Sequence, residues 1–312
     1  MPHSRQSFLR SWAAFAAGSA FLVEAPRSAE AATPTILDVA YAGSMSSIME
    51  GPIKQLASQR FNIALQGRAS GASGLAALIA GGSISPDVFI SVTPSPIQTV
   101  MKAGLIASAT PIARTEMVIG YGPSSTFAQK FADAGKKNTA AWWQVLEQNG
   151  LRFGRTDPVT DPSGRNTIFV MQLAAKTYKQ PDLAERVLGP DINPSQIFTE
   201  PTIVARLQSG ELDAAGVYKI QPAAFKLPFV RLPSEINLSD PQRQADYAMA
   251  GITLGAKTFH PEPLVYYAAV LKGAAHPGEA AAFVKWLAQA EAQEVFRRYG
   301  YDPAGNARPL VA

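Results

Sequence analysis

A chain of 312 residues, 47% of them apolar and 17% charged, has the composition of one or two ordinary globular domains and excludes a disordered polymer. Its 28 basic and 24 acidic residues leave a net charge of only +4, with no basic runs and no basic residues interleaved with aromatics, so nucleic-acid binding has no footing. The absence of cysteine excludes disulfides, thiol catalysis and cysteine-based metal sites, and His3, His260 and His276 are too widely spaced for zinc or triad chemistry.

In chain order, residues 1–31 have the layout of a secretory signal peptide. Arg5 and Arg10 come first, then an apolar stretch over 12–23, then Ala29, Glu30 and Ala31 as a small-x-small cleavage site. About twelve apolar residues are too few for a membrane span, which needs about twenty. Arg5 followed by Gln6 resembles a twin-arginine export motif lacking its second arginine, so the export route stays open. The rest of the chain is expected to be soluble and periplasmic.

Residues 35–42 form a β-type apolar run that ends in Gly43, Ser44, Met45, Ser46 and Ser47, ahead of a helical pattern over 48–61. The arrangement repeats with a strand over 61–66, a small-residue loop over 68–74 holding Ser70 and Ser73, and a helix from Leu75. Residues 86–92 predict a third strand and 96–103 a helix. Such alternation predicts a parallel sheet with helices on both faces and a ligand off the carboxyl ends of the strands, where these loops gather. Residues 117–122 predict another strand, and a helical segment surrounds Trp142 and Trp143.

The polar stretch 154–166 follows. In it Asp161 stands at an N-cap position, Pro162 suits the first helical turn, and the small residues Ser163 and Gly164 leave that turn's N–H groups uncovered. The helix running from here to about Tyr178 therefore begins either as a plain capped end or as an anion site. Glu200 and Pro201 open a helix reaching Gly210. Strands over 214–218 and 229–233 come next, then 247–254 and 264–271, and an amphipathic helix over 277–299 closes the pattern. A chain of this length divides naturally into two α/β lobes.

Several of these stretches, in their order and spacing, resemble the extracytoplasmic molybdate- and tungstate-binding proteins of ABC importers, and most of all their archaeal-type tungstate/molybdate subfamily. The likeness is carried by residues 37–44, 70–74, 87–91, 161–164, 216–219, 232–238, 266–271 and 280–287, and it covers nearly the whole chain after the leader. It implies an α/β, two-lobed periplasmic binding protein of type II, a Venus flytrap with the ligand cleft between its lobes. Lobe one would be 32–116 plus 266–304, and lobe two 117–265. The resemblance further implies an oxyanion held by Ser44, by Ser70 or Ser73, by the helix start Asp161, Ser163 and Gly164, by Glu200 and by Tyr218. In the second loop Ala72 stands where relatives often have serine. A monomer without catalytic residues or cofactor is implied, with molybdate or tungstate as ligand and an ABC permease at the inner membrane as partner.

A dianion facing ionised carboxylates at about 4 Å meets repulsion of roughly 4 kcal/mol per pair of unit charges, even at an effective dielectric near 20. Acids at an oxyanion site become sensible if their oxygens bind the metal centre itself, raising tetrahedral MoO4 or WO4 to six-coordinate with hard donors. In the subfamily two carboxylates do this, and Asp161 and Glu200 match their positions. Each also has a capping role open to it, since both precede a proline at a helix start. Tyr218 has the alternative of a core aromatic, and Arg165 and Lys219 are either charges that draw the anion in or structural ones. Rival functions are a secreted hydrolase using Asp161 and Glu200 as an acid/base pair, against which no nucleophile or histidine base is supplied, and a sensory or adhesion module of the same fold. Within binding proteins the rival ligand is sulfate or phosphate, held tetrahedrally by hydrogen bonds alone.

Overall fold

A computed structural model describes residues 33–137 and 141–312, so the signal peptide expected over 1–31 lies outside the described residues. The apolar runs become strands: β1 (Thr35–Ala42), β2 (Ile63–Ser70), β3 (Val88–Ser91), β4 (Ser108–Arg114), β5 (Met117–Tyr121), β6 (Phe153–Gly154), β7 (Ala214–Tyr218), β8 (Phe229–Arg231), β9 (Ile252–Leu254), β10 (Lys257–Phe259), β11 (Val265–Val270) and β12 (Leu310–Val311). Among the described residues they form a six-stranded sheet in the order β12-β4-β11-β3-β1-β2, a four-stranded sheet in the order β6-β7-β5-β8, and the hairpin β9-β10.

The first sheet is mixed, where alternation predicted a parallel one. β1 pairs parallel with β2 and β3, but β11 lies antiparallel between β3 and β4. The physical reason is connectivity. The chain leaves this sheet after β4, builds the second sheet, and re-enters from the opposite direction as β11, which no local pattern in residues 264–271 reveals.

Strands covered on both faces read as continuous apolar runs. Val39 and Tyr41 of β1 enter one core cluster while Ala40 between them enters another, and Tyr266 and Ala268 likewise alternate with Val265, Tyr267 and Ala269. In the second sheet Tyr218 and Val217 divide in the same way, Val217 packing with Ile203, Val204 and Leu207 beneath the Glu200–Ser209 helix. That alternation turns Tyr218 away from the Glu200–Ser209 helix and toward the Pro162–Thr177 helix, whose Thr167 lies against Gly216.

The helical stretch expected over 48–61 is broken, because Gly51 departs from helical geometry and Pro52 lacks an amide proton; a regular helix runs only over Lys54–Phe61. The closing helix is two, Pro277–Leu287 and Ala290–Arg298.

Candidate functional site

The parallel pairing sets Ala42 of β1 opposite Ser70 of β2, and Tyr41 opposite Ile90 of β3, so the carboxyl ends of these strands share one edge. The loops leaving that edge supply Gly43, Ser44, Gly71, Ala72 and Val92 to a cavity of about 230 Å³. Thr160, Asp161, Pro162, Glu200 and Tyr218 come from the other sheet's side and, with Ala42 at the end of β1, complete the lining.

Asp161 and Glu200 are thirty-nine positions apart in sequence, and backbone pairing brings their segments together. Arg155 and Ile197 form a parallel bridge, with the Arg155 N–H donating to the Gln196 carbonyl at 2.8 Å and the Phe198 N–H donating to the Arg155 carbonyl at 3.0 Å. The fully buried Arg155 guanidinium donates to the Asp191 and Pro190 carbonyls at 2.8 and 3.0 Å, pinning the loop that leads to Glu200. One carboxylate follows each of the two paired segments.

Asp161 is the N-cap of the Pro162–Thr177 helix, its Oδ1 accepting from the Ser163 N–H at 2.8 Å. Burial raises its pKa, and the Ser163 N–H opposes that rise. Glu200 opens its helix and accepts from the Gln221 amide through Oε1. Burial, with the Asp161 carboxylate adding to it, pushes the Glu200 pKa up to about 7 against the Gln221 bond. Both acids line the same small cavity.

Tyr218, 4% exposed, accepts a hydrogen bond from Asn166 Nδ2 at 3.0 Å, which leaves its own hydroxyl proton to donate elsewhere. The Ser44 hydroxyl lies 3.0 Å from the Tyr266 hydroxyl, and the Ser44 carbonyl accepts from Tyr301 at 3.3 Å. Burial first, and nearby carboxylates second, hold the Tyr218 phenol well above its ordinary pKa. Tyr266 and Tyr301 are raised by burial as well, so all three stay protonated donors at neutral pH.

The structure thus brings Ser44, Asp161, Glu200 and Tyr218 to one cavity. Ser70 and Ser73 are exposed and outside its lining, because Ala72 takes the inward position at the start of the Ala72–Ala80 helix and Gly71 precedes it. Ser163 is buried behind Asp161, its N–H engaged by that carboxylate. Gly164 is small for a different reason from the expected one. A Cβ there would lie 2.2 Å from the Thr156 carbonyl oxygen, so glycine is required for the helix to seat against the 156–158 loop. Gly164→Ala is expected to destabilise the protein by about 2 kcal/mol or more, read as a lower urea midpoint with the slope unchanged; an unshifted midpoint would refute the contact.

Arg165 and Lys219 are committed to structure. Arg165 donates to the Pro158 carbonyl at 2.9 Å and stacks on Phe259 at 4.4 Å. Lys219 is buried, paired with Asp302 and 3.4 Å from Glu116, which Arg231 also meets at 2.8 Å. Sequence reasoning missed Asn166 and Gln221; a polar side chain on an otherwise apolar helical face was the one signal for Asn166. Among the described residues no group of three or more histidines and carboxylates is placed to hold a metal ion.

Comparison with known proteins follows the same lines. A profile of the bacterial extracellular solute-binding proteins matches residues 37–302. The molybdate/tungstate-binding protein WtpA of Pyrococcus abyssi is 32% identical over 211 residues, which is 61% of this chain and 60% of that protein, so the match spans about three fifths of this curated relative. The periplasmic molybdate-binding protein of Azotobacter vinelandii superposes with a TM-score of 0.59 at 20% identity, covering 85% of this chain and 98% of that one. The sulfate-binding protein SubI of Mycobacterium tuberculosis H37Rv gives a TM-score of 0.56 at 14% identity, with 87% and 88% covered. The backbone fold is therefore shared by receptors named for different anions, and the choice of ligand rests with side chains.

Proposed function

Because this chain belongs to the bacterial extracellular solute-binding protein family, we propose that it captures molybdate or tungstate between two lobes and delivers it to an ABC permease. The observation that carries this reading is the meeting of Asp161 and Glu200, from separate segments, on one small cavity that Ser44, Thr160, Tyr218 and small or apolar residues also line. Two half-buried acids, both with pKa values raised by burial and one raised further by the other, are a poor cradle for a dianion held by hydrogen bonds alone, at a cost of roughly 4 kcal/mol per charge pair. They suit an anion whose central metal accepts two further oxygens. The oxyanion brings four oxygens of its own, and Asp161 and Glu200 complete six.

In this reading Asp161 both caps its helix through Oδ1 and offers its second oxygen to the metal. Ser44, Tyr218 and the N–H groups around Gly71 and Ala72 donate to the oxide oxygens. Lobe one is 32–116 with 266–304 and lobe two is 117–265. Ligand contacts from both sides stabilise closure, and the closed form is what the permease meets. Coordination by the two acids is reversible and no bond of the oxyanion is broken, and the leader over 1–31 directs the chain to the periplasm.

Titration calorimetry on the wild-type protein is the direct test. Molybdate and tungstate are expected to bind at least about 10²-fold more tightly than sulfate, a gap of about 2.7 kcal/mol. Equal affinity for sulfate would defeat the coordination reading and return the site to a hydrogen-bonded tetrahedral anion. Turnover of a glycoside or phosphoester substrate would defeat the binding-protein reading as a whole.

A further inference from the structure

We propose that Gln221 is a positioning residue for Glu200, holding one carboxylate oxygen so that the other stays presented to the metal centre of the bound oxyanion; this rests on the coordination reading above. Gln221 lies on the short Ile220–Ala224 helix and is 9% exposed. Its Oε1 accepts from the Tyr218 backbone N–H at 3.0 Å, and its Nε2 donates to Glu200 Oε1. A backbone N–H can only donate, so the oxygen end of the amide belongs to Tyr218 and the NH2 end belongs to Glu200. The orientation of the amide is therefore set by the main chain of a strand that carries another residue of the site.

The choice of side chain matters as much as its placement. A lysine or arginine here would neutralise Glu200 and compete with the metal for its oxygens. A neutral amide orients the carboxylate and leaves its charge available. Glutamate has three rotatable bonds to freeze on coordination, and an amide already bonded to one oxygen does much of that freezing before the ligand arrives. Without it the carboxylate has an adjoining cavity of about 470 Å³, walled in part by Val204, Ala205, Ile220 and Phe225, into which to swing.

The test uses molybdate as the probe, with X-ray absorption at the molybdenum edge counting oxygen neighbours and calorimetry giving affinities for molybdate and sulfate. Gln221→Met removes both bonds without adding charge, and Gln221→Asn keeps a neutral amide but is one methylene too short to hold the Tyr218 N–H and Glu200 together. Thermal unfolding confirms which variants are folded, and the second variant stands if the first is not. The wild type is expected to show six oxygen neighbours and each folded variant fewer. Molybdate should bind about tenfold or more weakly in the variants while sulfate stays within about threefold. Six neighbours in the folded variants, or equal losses for both anions, would overturn the positioning role and leave coordination by the wild type intact. Four neighbours in the wild type would bring down the coordination reading and this one together.

Discussion

Asp161→Asn combined with Glu200→Gln is expected to lower molybdate and tungstate affinity by about 10³-fold while sulfate affinity rises, inverting the preference of the protein. Asparagine caps a helix about as well as aspartate, so the Ser163 N–H keeps a partner and the change falls on charge and coordination. Each lost charge-assisted contact is worth about 1.5–3 kcal/mol, which for two spans roughly 10² to 10⁴ in binding constant. The same substitutions remove two negative charges facing the anion, each costing a hydrogen-bonded dianion roughly 4 kcal/mol per charge pair. Opposite signs for two tetrahedral anions of similar size cannot arise from a general loss of structure. Calorimetry with both anions decides it, and parallel losses would refute the assignment of Asp161 and Glu200 as metal ligands.

Glu200→Gln alone is expected to stabilise the ligand-free protein above pH 7 while removing the part of its pH-dependent binding that Glu200 contributes. The folded pKa of Glu200 is about 7, raised from 4.5 by burial and by Asp161. Between these two values the unfolded chain has released the proton and the folded one still holds it, so stability is greatest below about pH 4.5 and is lost as pH rises to about 7. The loss is of the order of 3 kcal/mol, or roughly 5–10 °C in unfolding temperature for a chain of this size. Asp161, also raised by burial, acts in the same sense. The glutamine variant should be flat over this range except for the part due to Asp161. Binding runs the other way, because coordination requires the proton to leave, and molybdate affinity should fall by about tenfold per pH unit below about pH 7 in the wild type. Differential scanning calorimetry of the ligand-free protein checks the first half. A wild type as stable at pH 8 as at pH 5, or a variant with the same slope, would show that Glu200 is not the buried acid responsible.

The helix start at Asp161 was legible in sequence because capping is local chemistry. An acceptor, a proline and a free first turn lie within four residues, and the structure finds the N-cap there with its bond to Ser163. The helix opening at Glu200 and the serine loop after β1 were legible on the same grounds. The roles of Gln221 and Asn166 were not, since the site residues they bond, Glu200 and Tyr218, lie 21 and 52 residues away, and a polar side chain on an apolar face says nothing of which partner it meets. The role of Gly164 was misread for a related reason, as the Thr156 carbonyl that forbids a side chain reaches it only after the loop folds back.

By itself, then, the order of residues determined the α/β class and most strand and helix positions, because periodicity and capping act over a few residues and survive without tertiary contacts, and the order and spacing of matching stretches carried the family resemblance. The tertiary structure decided what long-range pairing alone can decide. It inserted β11 antiparallel into the first sheet, joined Arg155 to Ile197 so that two acids meet, and turned Tyr218 toward Asn166. It also left Ser70 and Ser73 at the surface while Gly71 and Ala72 of the same loop lined the cavity. The physical reason is that facing and burial are properties of a packed surface, whereas capping and strand propensity are properties of a short stretch of chain.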